Sequence, residues 1–200
     1  MNAIFCIPMP DVKPEVILDR IKSALGYHQQ HDRFDDIVTA HAKTFDWALQ
    51  VKERPTQGWP SLHNWLCHGQ AIYSVSGKAG SGKSTLMKYL HQDVRLHDAL
   101  QSWAGNAQLL TLSFYFWNAG SESQKSQKSL FRSLLYQALC QKPSLGPIFF
   151  PERYLPSAKW TEFPTFHDVR RAFKHFTASL DDDSLKVALL IDGLDEFDAV

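Results

Sequence analysis

Gly77-Lys-Ala-Gly-Ser-Gly-Lys-Ser-Thr85 is the stretch on which the reading of the fold turns. Its spacing is GxxxxGK[ST], the pattern of a loop whose backbone N–H groups turn inward around phosphate oxygens. Gly77, Gly80 and Gly82 allow backbone angles that a Cβ would exclude. Lys83 supplies a point charge for the β and γ phosphates, and the Ser84 hydroxyl is a magnesium ligand. The run Ala71-Ile-Tyr-Ser-Val-Ser76 before it reads as a short strand, and the chain from Ser84 toward Trp103 reads as one helix, whose first amides attract an anion. Gly77, Lys78, Ala79, Gly80, Ser81, Gly82, Lys83, Ser84 and Thr85 are therefore the expected contacts of a nucleoside triphosphate with its Mg2+. The plainer account, a glycine-rich turn with a chance lysine, explains neither the flanking strand nor the helix.

Composition narrows what surrounds this loop. The 200 residues fit one α/β domain with an added helical segment, large enough to bury a core. Basic and acidic residues balance at 21 each, so there is no electrostatic footprint for nucleic acid or an anionic membrane. Cys6, Cys67 and Cys140 are widely spaced and form no CxxC pair, which speaks against a disulfide framework or a zinc site and fits a reducing compartment. No apolar run approaches the roughly 20 residues of a membrane span, and the start is too short for a signal sequence. The expected location is the cytoplasm.

Upstream of the loop the pattern is helical. Pro14 suits a first turn, and Val16, Ile17, Ile21, Ala24 and Leu25 recur at helical spacing toward Gly26. A second helix is expected from near Asp32, where Phe34, Ile37, Val38, His41, Phe45, Ala48 and Leu49 form one stripe opposite Asp35, Asp36, Lys43, Asp46 and Lys52. His41 lies in that stripe and reads as a packed histidine rather than a catalytic one. Arg54-Pro-Thr-Gln-Gly-Trp-Pro60 interrupts the periodicity and marks a linker, which gives an N-terminal helical and linker segment over 1–57 and a nucleotide-binding domain over 58–200. Ser61 is placed to cap a brief helix carrying Leu62, Trp65 and Leu66. Backbone around Gln57 to Trp59 is a candidate for the nucleotide base, although Trp59 and Trp65 also suit ordinary packing.

Downstream, strands and helices alternate. Residues 107–117 are almost continuously apolar or β-favouring, as a strand covered on both faces should be. Leu130, Phe131, Leu134, Leu135, Ala138 and Leu139 give a helical face that stops before Pro143. Residues 143–164, rich in proline and aromatics, read as an irregular connection over the body. Phe166, Val169, Phe173, Phe176 and Leu180 mark another helix, ended by the acidic run 181–183, which suits a solvated loop better than a metal site. The alternation predicts an α/β fold of the P-loop NTPase type, a three-layer sandwich about a parallel sheet, incomplete, and preceded by a helical segment.

Val187-Ala-Leu-Leu-Ile-Asp-Gly-Leu-Asp-Glu196 is the second informative run. It predicts a buried strand that delivers Asp192 to the C-terminal sheet edge, where open parallel sheets bind ligands. Asp192 is then the second magnesium residue beside Ser84, commonly acting through water. Asp195 and Glu196 offer carboxylates that could orient or deprotonate an attacking water, with Lys83 steadying the charge. An apolar run ending in aspartate is common, and it gains meaning from the intact loop upstream.

These residues resemble a known family. Leu189-Leu-Ile-Asp-Gly-Leu-Asp-Glu196 looks like the extended Walker B motif (187–196) of NACHT domains, the nucleotide switch of NOD-like receptors in the STAND class, and 77–85 is the matching Walker A. The runs 33–38, 40–47, 76–90, 114–118 and 127–137 are similar to NACHT proteins of filamentous fungi linked to self/non-self recognition, so that the likeness covers roughly 31–200. It implies a switch in which nucleotide exchange toggles a closed monomer and an open homo-oligomer, signalling to protein partners the sequence does not name. A full module of that family continues beyond its Walker B strand through a sensor arginine, further strands and a winged helix, so a partial NACHT domain is expected over 58–200.

Two functional expectations follow. One is an NTP-hydrolysing signalling switch using Lys83, Ser84, Asp192 and Glu196 or Asp195. The other is a nucleotide-dependent interaction module whose hydrolysis is slow or lost. A small-molecule kinase is a third reading, for which only Arg132 is available as a lid arginine in 127–141. No Asn-Lys-x-Asp run specifies guanine, which favours ATP over GTP.

Overall fold

The computed structural model describes residues 12–26, 32–41, 44–50, 61–68, 72–116, 126–180 and 183–194. The elements are α1 (Pro14–Leu25), α2 (Asp32–Asp36), α3 (Leu62–His68), α4 (Lys83–Gln92), α5 (Val94–Ala104), β1 (Gln108–Tyr115), α6 (Gln127–Gln141), α7 (Gly146–Phe149), α8 (Phe166–Ala178) and β2 (Leu185–Asp192). Short 3-10 turns stand at Asp46–Ala48, Pro143–Leu145 and Pro151–Tyr154. The fold is mixed α/β, and the described strands form one parallel pair in which Gln108 faces Leu185 and Tyr115 faces Asp192.

A helical layer covers each face of that pair. On one face Leu110, Leu112, Leu185 and Val187 pack with Ile21 and Leu25 of α1, Leu134, Leu135, Ala138 and Leu139 of α6, Phe149, and Val169, Ala172 and Phe176 of α8. On the other, Leu109, Ala188 and Leu190 pack with Ala48, Leu49, Leu66 of α3, Leu86 and Leu90 of α4, and Leu96, Ala99 and Leu100 of α5. Each fully buried leucine or phenylalanine contributes about 1.5–3 kcal/mol. Residues upstream of the proline-rich linker thus belong to both cores, and the linker itself lies outside the described residues.

Several elements follow their local signals. Pro14 opens α1, and the Gly26 N–H closes it on Lys22. Ser61 accepts from Asn64 N at the head of α3. Thr165 and Asp168 form a reciprocal capping box on α8. The connection over 143–164 begins as a chain of single helical turns, from Pro143 to Tyr154, that buries Phe149 and Phe150 completely, and continues as irregular chain.

Four expectations are corrected. The single helix from 84 toward 103 is two, because Asp93 is extended at ψ 126° and its carboxylate accepts from Arg95 N to start α5. The second helix expected through 32–49 stops at Asp36. Ile37, Val38 and Thr39 are β-branched and poor at continuing a helix, and buried Lys88 captures the carbonyls of Phe34 (2.7 Å), Asp35 (3.2 Å) and Ile37 (2.7 Å) at its end. His41 accordingly stands exposed instead of packed in a stripe. Of the strand expected over 71–76, the described residues 72–76 do not join the described sheet: residues 72–78 carry no regular structure, and Ile72 is 87 % exposed. A strand is defined by a paired neighbour, and β-propensity without one does not make it.

The two edges of the sheet differ. Along the outer edge of β1, Gln137 and Gln141, one turn apart on α6, reach the backbone of Ser113 and Thr111. Leu189 of β2, opposite buried Leu112, is 48 % exposed. Among the described residues no helix is long and apolar enough to cross a membrane.

Candidate functional site

The loop between residue 77 and α4 has the backbone its sequence requires. Gly80 and Gly82 take φ of 74° and 84°, in the left-handed region where a side chain costs roughly 1–2 kcal/mol. Ser81 N donates to Lys78 O at 3.2 Å, making a turn, and Leu86 N donates to Gly82 O at 2.8 Å, starting the helix. The first amides of α4 therefore stand at the end of the loop, with Gly82 as a cap that has no side chain to occupy them. Lys83 Nζ bends back over the loop and donates to Gly77 O at 3.0 Å and Lys78 O at 3.4 Å. Ser84 and Thr85 are half-buried in the first turn, and Lys78 and Ala79 are exposed.

Asp192 ends β2 and is only 6 % exposed, and its Oδ2 is buried without a hydrogen-bond partner among the described residues. Such an oxygen is costly to leave unmet, by about 1–3 kcal/mol or more. A carboxyl oxygen at a sheet edge has the chemistry of a hard-cation ligand or of an acceptor for a cation's water. Gly193, which follows, has φ of 73°, and a Cβ there would come within 3.0 Å of Phe116 O, so glycine is needed to bring the chain past β1. Among the described residues no hydrogen bond or ion pair joins Lys83 or Ser84 to Asp192, and the link between them is packing: Leu86 and Leu90 of α4 share a core with Leu190 of β2. Asp195, Glu196 and residues 57–59 lie outside the described residues, and Asp183 of the acidic run is exposed. Among the described residues no group of three or more His, Cys, Asp or Glu side chains is arranged to hold a metal.

The surroundings hold residues that sequence patterns did not assign to a site. Phe45 touches the loop, its Cζ 3.7 Å from where a Gly82 Cβ would stand, and its ring lies 5.8 Å from that of Tyr89. Asp46 accepts from Tyr89 Oη at 2.8 Å and Arg95 Nη2 at 2.9 Å, and Arg95 also bridges to Asp93 at 2.6 Å. These bonds hold the carboxyl of Asp46 below its ordinary range, chiefly through Tyr89, and lower Asp93 to about 2, chiefly through Arg95. Burial, then the bond to Asp46, pushes Tyr89 up to about 12. Tyr115, the register partner of Asp192, places its hydroxyl 3.1 Å from His91 Nδ1, and the Phe34 ring meets both rings edge-on at 5.2 Å. Burial and then the Asp192 charge raise the Tyr115 hydroxyl. A run such as Phe114-Tyr-Phe-Trp117 announces a buried strand, and only the parallel register makes one of its aromatics a neighbour of Asp192.

Arg132, the lid arginine of the kinase reading, is spent elsewhere: its guanidinium donates to the carbonyls of Ala24 (3.0 Å), Leu25 (3.1 Å) and Gly26 (3.1 Å), closing the end of α1. An open cavity of about 510 Å³, lined in part by His97, Asp98, Gln101 and Gln141, contains none of the glycine-loop residues.

Comparison with known proteins gives one finding. No curated protein and no solved structure gives a significant match. The family model described as "Nephrocystin 3, N-terminal" matches residues 44–200, a span that takes in the Phe45 contact, the glycine loop, both strands and Asp192. With well over half of its length matched, the chain belongs to the nephrocystin 3 N-terminal family.

Proposed function

We propose that this chain binds a nucleoside triphosphate, ATP in preference to GTP, together with Mg2+, and serves as a nucleotide-dependent signalling module of the NACHT kind. What carries the reading is a conjunction: left-handed Gly80 and Gly82 deliver Lys83 to the head of α4, while β2 ends in a buried carboxylate oxygen without a partner among the described residues. Lys83 exchanges its two loop carbonyls for the β and γ phosphates, and the backbone amides of 78–85 take the remaining phosphate oxygens. Ser84 and Asp192 are the residues that would hold the cation, which would supply positive charge to screen the phosphates. Glu196, or Asp195, is the candidate for orienting the attacking water.

Binding of fluorescent ATP and GTP analogues, with and without Mg2+, to the parent chain and to Lys83→Ala tests the reading. A parent chain that binds neither analogue refutes it. Single-turnover hydrolysis of labelled ATP then separates the two versions of the module: turnover lost in Lys83→Ala and Glu196→Gln marks the hydrolysing switch, and tight binding without turnover marks the interaction module. A phosphorylated small-molecule product would point to the kinase reading, against which the commitment of Arg132 to α1 already weighs.

A further inference from the structure

We propose that Phe45 is a positioning residue for the glycine loop, its ring filling the place that Gly82 leaves empty and fixing the first amides of α4 for phosphate; this rests on the nucleotide reading above. The three loop glycines differ in what surrounds them. A Cβ at Gly80 would meet nothing within 4 Å among the described residues, and one at Gly77 would meet the loop's own Ser81 Oγ at 2.8 Å. At Gly82 it would meet Phe45 Cζ at 3.7 Å, an atom from well upstream in the chain. Gly82 is also the joint of the site: left-handed at φ 84°, it ends the loop, caps α4 and accepts from Leu86 N at 2.8 Å. The unpaired amides of the helix head follow directly. A glycine is the residue most free to swing, so packing from outside the loop is what limits it.

Phe45 is itself held from two sides. Tyr89 stands two turns after Gly82 on nearly the same face of α4. Helical side chains lean toward the N-terminus, and the Tyr89 ring meets that of Phe45 at 5.8 Å, tilted by 57°. Asp46, next in sequence, accepts from Tyr89 Oη at 2.8 Å and from Arg95 Nη2 at 2.9 Å. The 3-10 turn Asp46–Ala48 then leads Ala48 and Leu49 into the core that holds Leu86 and Leu90 of α4. The turn is thus fastened to α4, to α5 and to the core, and Phe45 passes that fixation to the loop. A joint held before the ligand arrives spares binding the cost of ordering it. Fixing the backbone of one residue is worth roughly 5–30-fold in an equilibrium.

The test measures the affinity of the full chain, in Mg2+, for a fluorescent ATP analogue and for inorganic tripolyphosphate as its competitor. Phe45→Ala is expected to weaken both by about tenfold, because the phosphates are what the loop holds. Phe45→Met, unbranched and adaptable, is expected to recover most of that loss. Asp46→Ala, which unfastens the turn and leaves the ring, is expected to weaken both by roughly threefold. Leu139→Ala, in the core on the other face of the sheet, is the control for general destabilisation, expected to lower the melting temperature with both affinities unchanged. Unchanged affinities in folded Phe45→Ala overturn the proposal and leave the nucleotide reading intact. Loss for the ATP analogue alone also overturns it, making the ring a contact of the base, and so does an equal loss in Leu139→Ala. Should Phe45→Ala fail to fold, Asp46→Ala decides by the same pair of affinities. A parent chain that binds neither ligand overturns the nucleotide reading itself, and this proposal with it.

Discussion

Gln137 pairs with the backbone of Ser113 through both ends of its amide: Nε2 donates to Ser113 O at 2.7 Å, and Oε1 accepts from Ser113 N at 2.9 Å. One turn later Gln141 repeats this on Thr111, at 2.8 and 3.2 Å. Two side chains thus stand where a further strand would pair, and α6 serves as both cover and edge guard for β1.

Gln137→Leu should destabilise the chain by about 1–3 kcal/mol, because the amide and carbonyl of Ser113 are left unmet in a half-buried place. For a chain of this size that is a fall of roughly 2–10 °C in melting temperature. The double variant Gln137→Leu with Gln141→Leu should also scatter more light than the parent at equal concentration, as the bared edge recruits other chains. Unchanged melting and scattering would show that the glutamines guard nothing.

Lys88→Met preserves length and bulk while removing the charge that grips α2. Hydrogen bonds to a charged donor are worth roughly 1.5–3 kcal/mol each and are not additive. Amide exchange should accelerate across residues 33–37 and stay unchanged in α8, which Lys88 does not touch. Equal protection in the parent and in Lys88→Met would mean that Phe34 packing alone holds the segment.

Lys83→Ala should leave the melting temperature of the nucleotide-free chain nearly unaltered, since both of its hydrogen bonds are solvent-exposed. Its effect should appear as loss of the ATP-induced thermal shift, with affinity falling by roughly tenfold or more. A variant that still shows the full shift would place the nucleotide elsewhere.

Asp93 sits at about 2 in the folded chain against an ordinary 3.8, and Asp46 and Asp168 are lowered too. A depressed carboxyl adds stability that is complete above the ordinary value and is lost as pH falls through the folded one. Acid unfolding should therefore steepen between about pH 4 and 2, and Asp93→Asn should flatten that limb. Tyr89, raised from 10.0 to about 12, acts oppositely: its contribution is complete below 10 and disappears as pH rises toward 12. Urea midpoints measured at each pH test both limbs.

Local chemistry made much of the fold legible. Pro14 and Gly26, Ser61, Thr165 with Asp168, and the apolar runs of β1 and β2 each announce an element from within a few residues. What escaped reading depends on partners far away in sequence. The stripe 34–49 has helical spacing, and its burial is real at Ile37, Ala48 and Leu49, yet a lysine some fifty residues later takes the carbonyls that would have continued it. Residues 72–76 have strand-like composition, but pairing is not written in composition. The glycine loop was legible down to its left-handed glycines, whereas Tyr115 becomes a neighbour of Asp192 only through the register.

The grip of Lys88 also bears on where this domain can be cut. The family match begins at residue 44, and a protein trimmed to that boundary keeps the ammonium, 7 % exposed, while discarding Phe34, Asp35 and Ile37, its acceptors. The same trim removes α1, whose last carbonyls accept from the guanidinium of Arg132. Helical cover is lost from one face of the sheet and the acceptors of a buried ammonium from the other, so the smallest unit expected to express as a soluble, cooperative domain starts before Pro14.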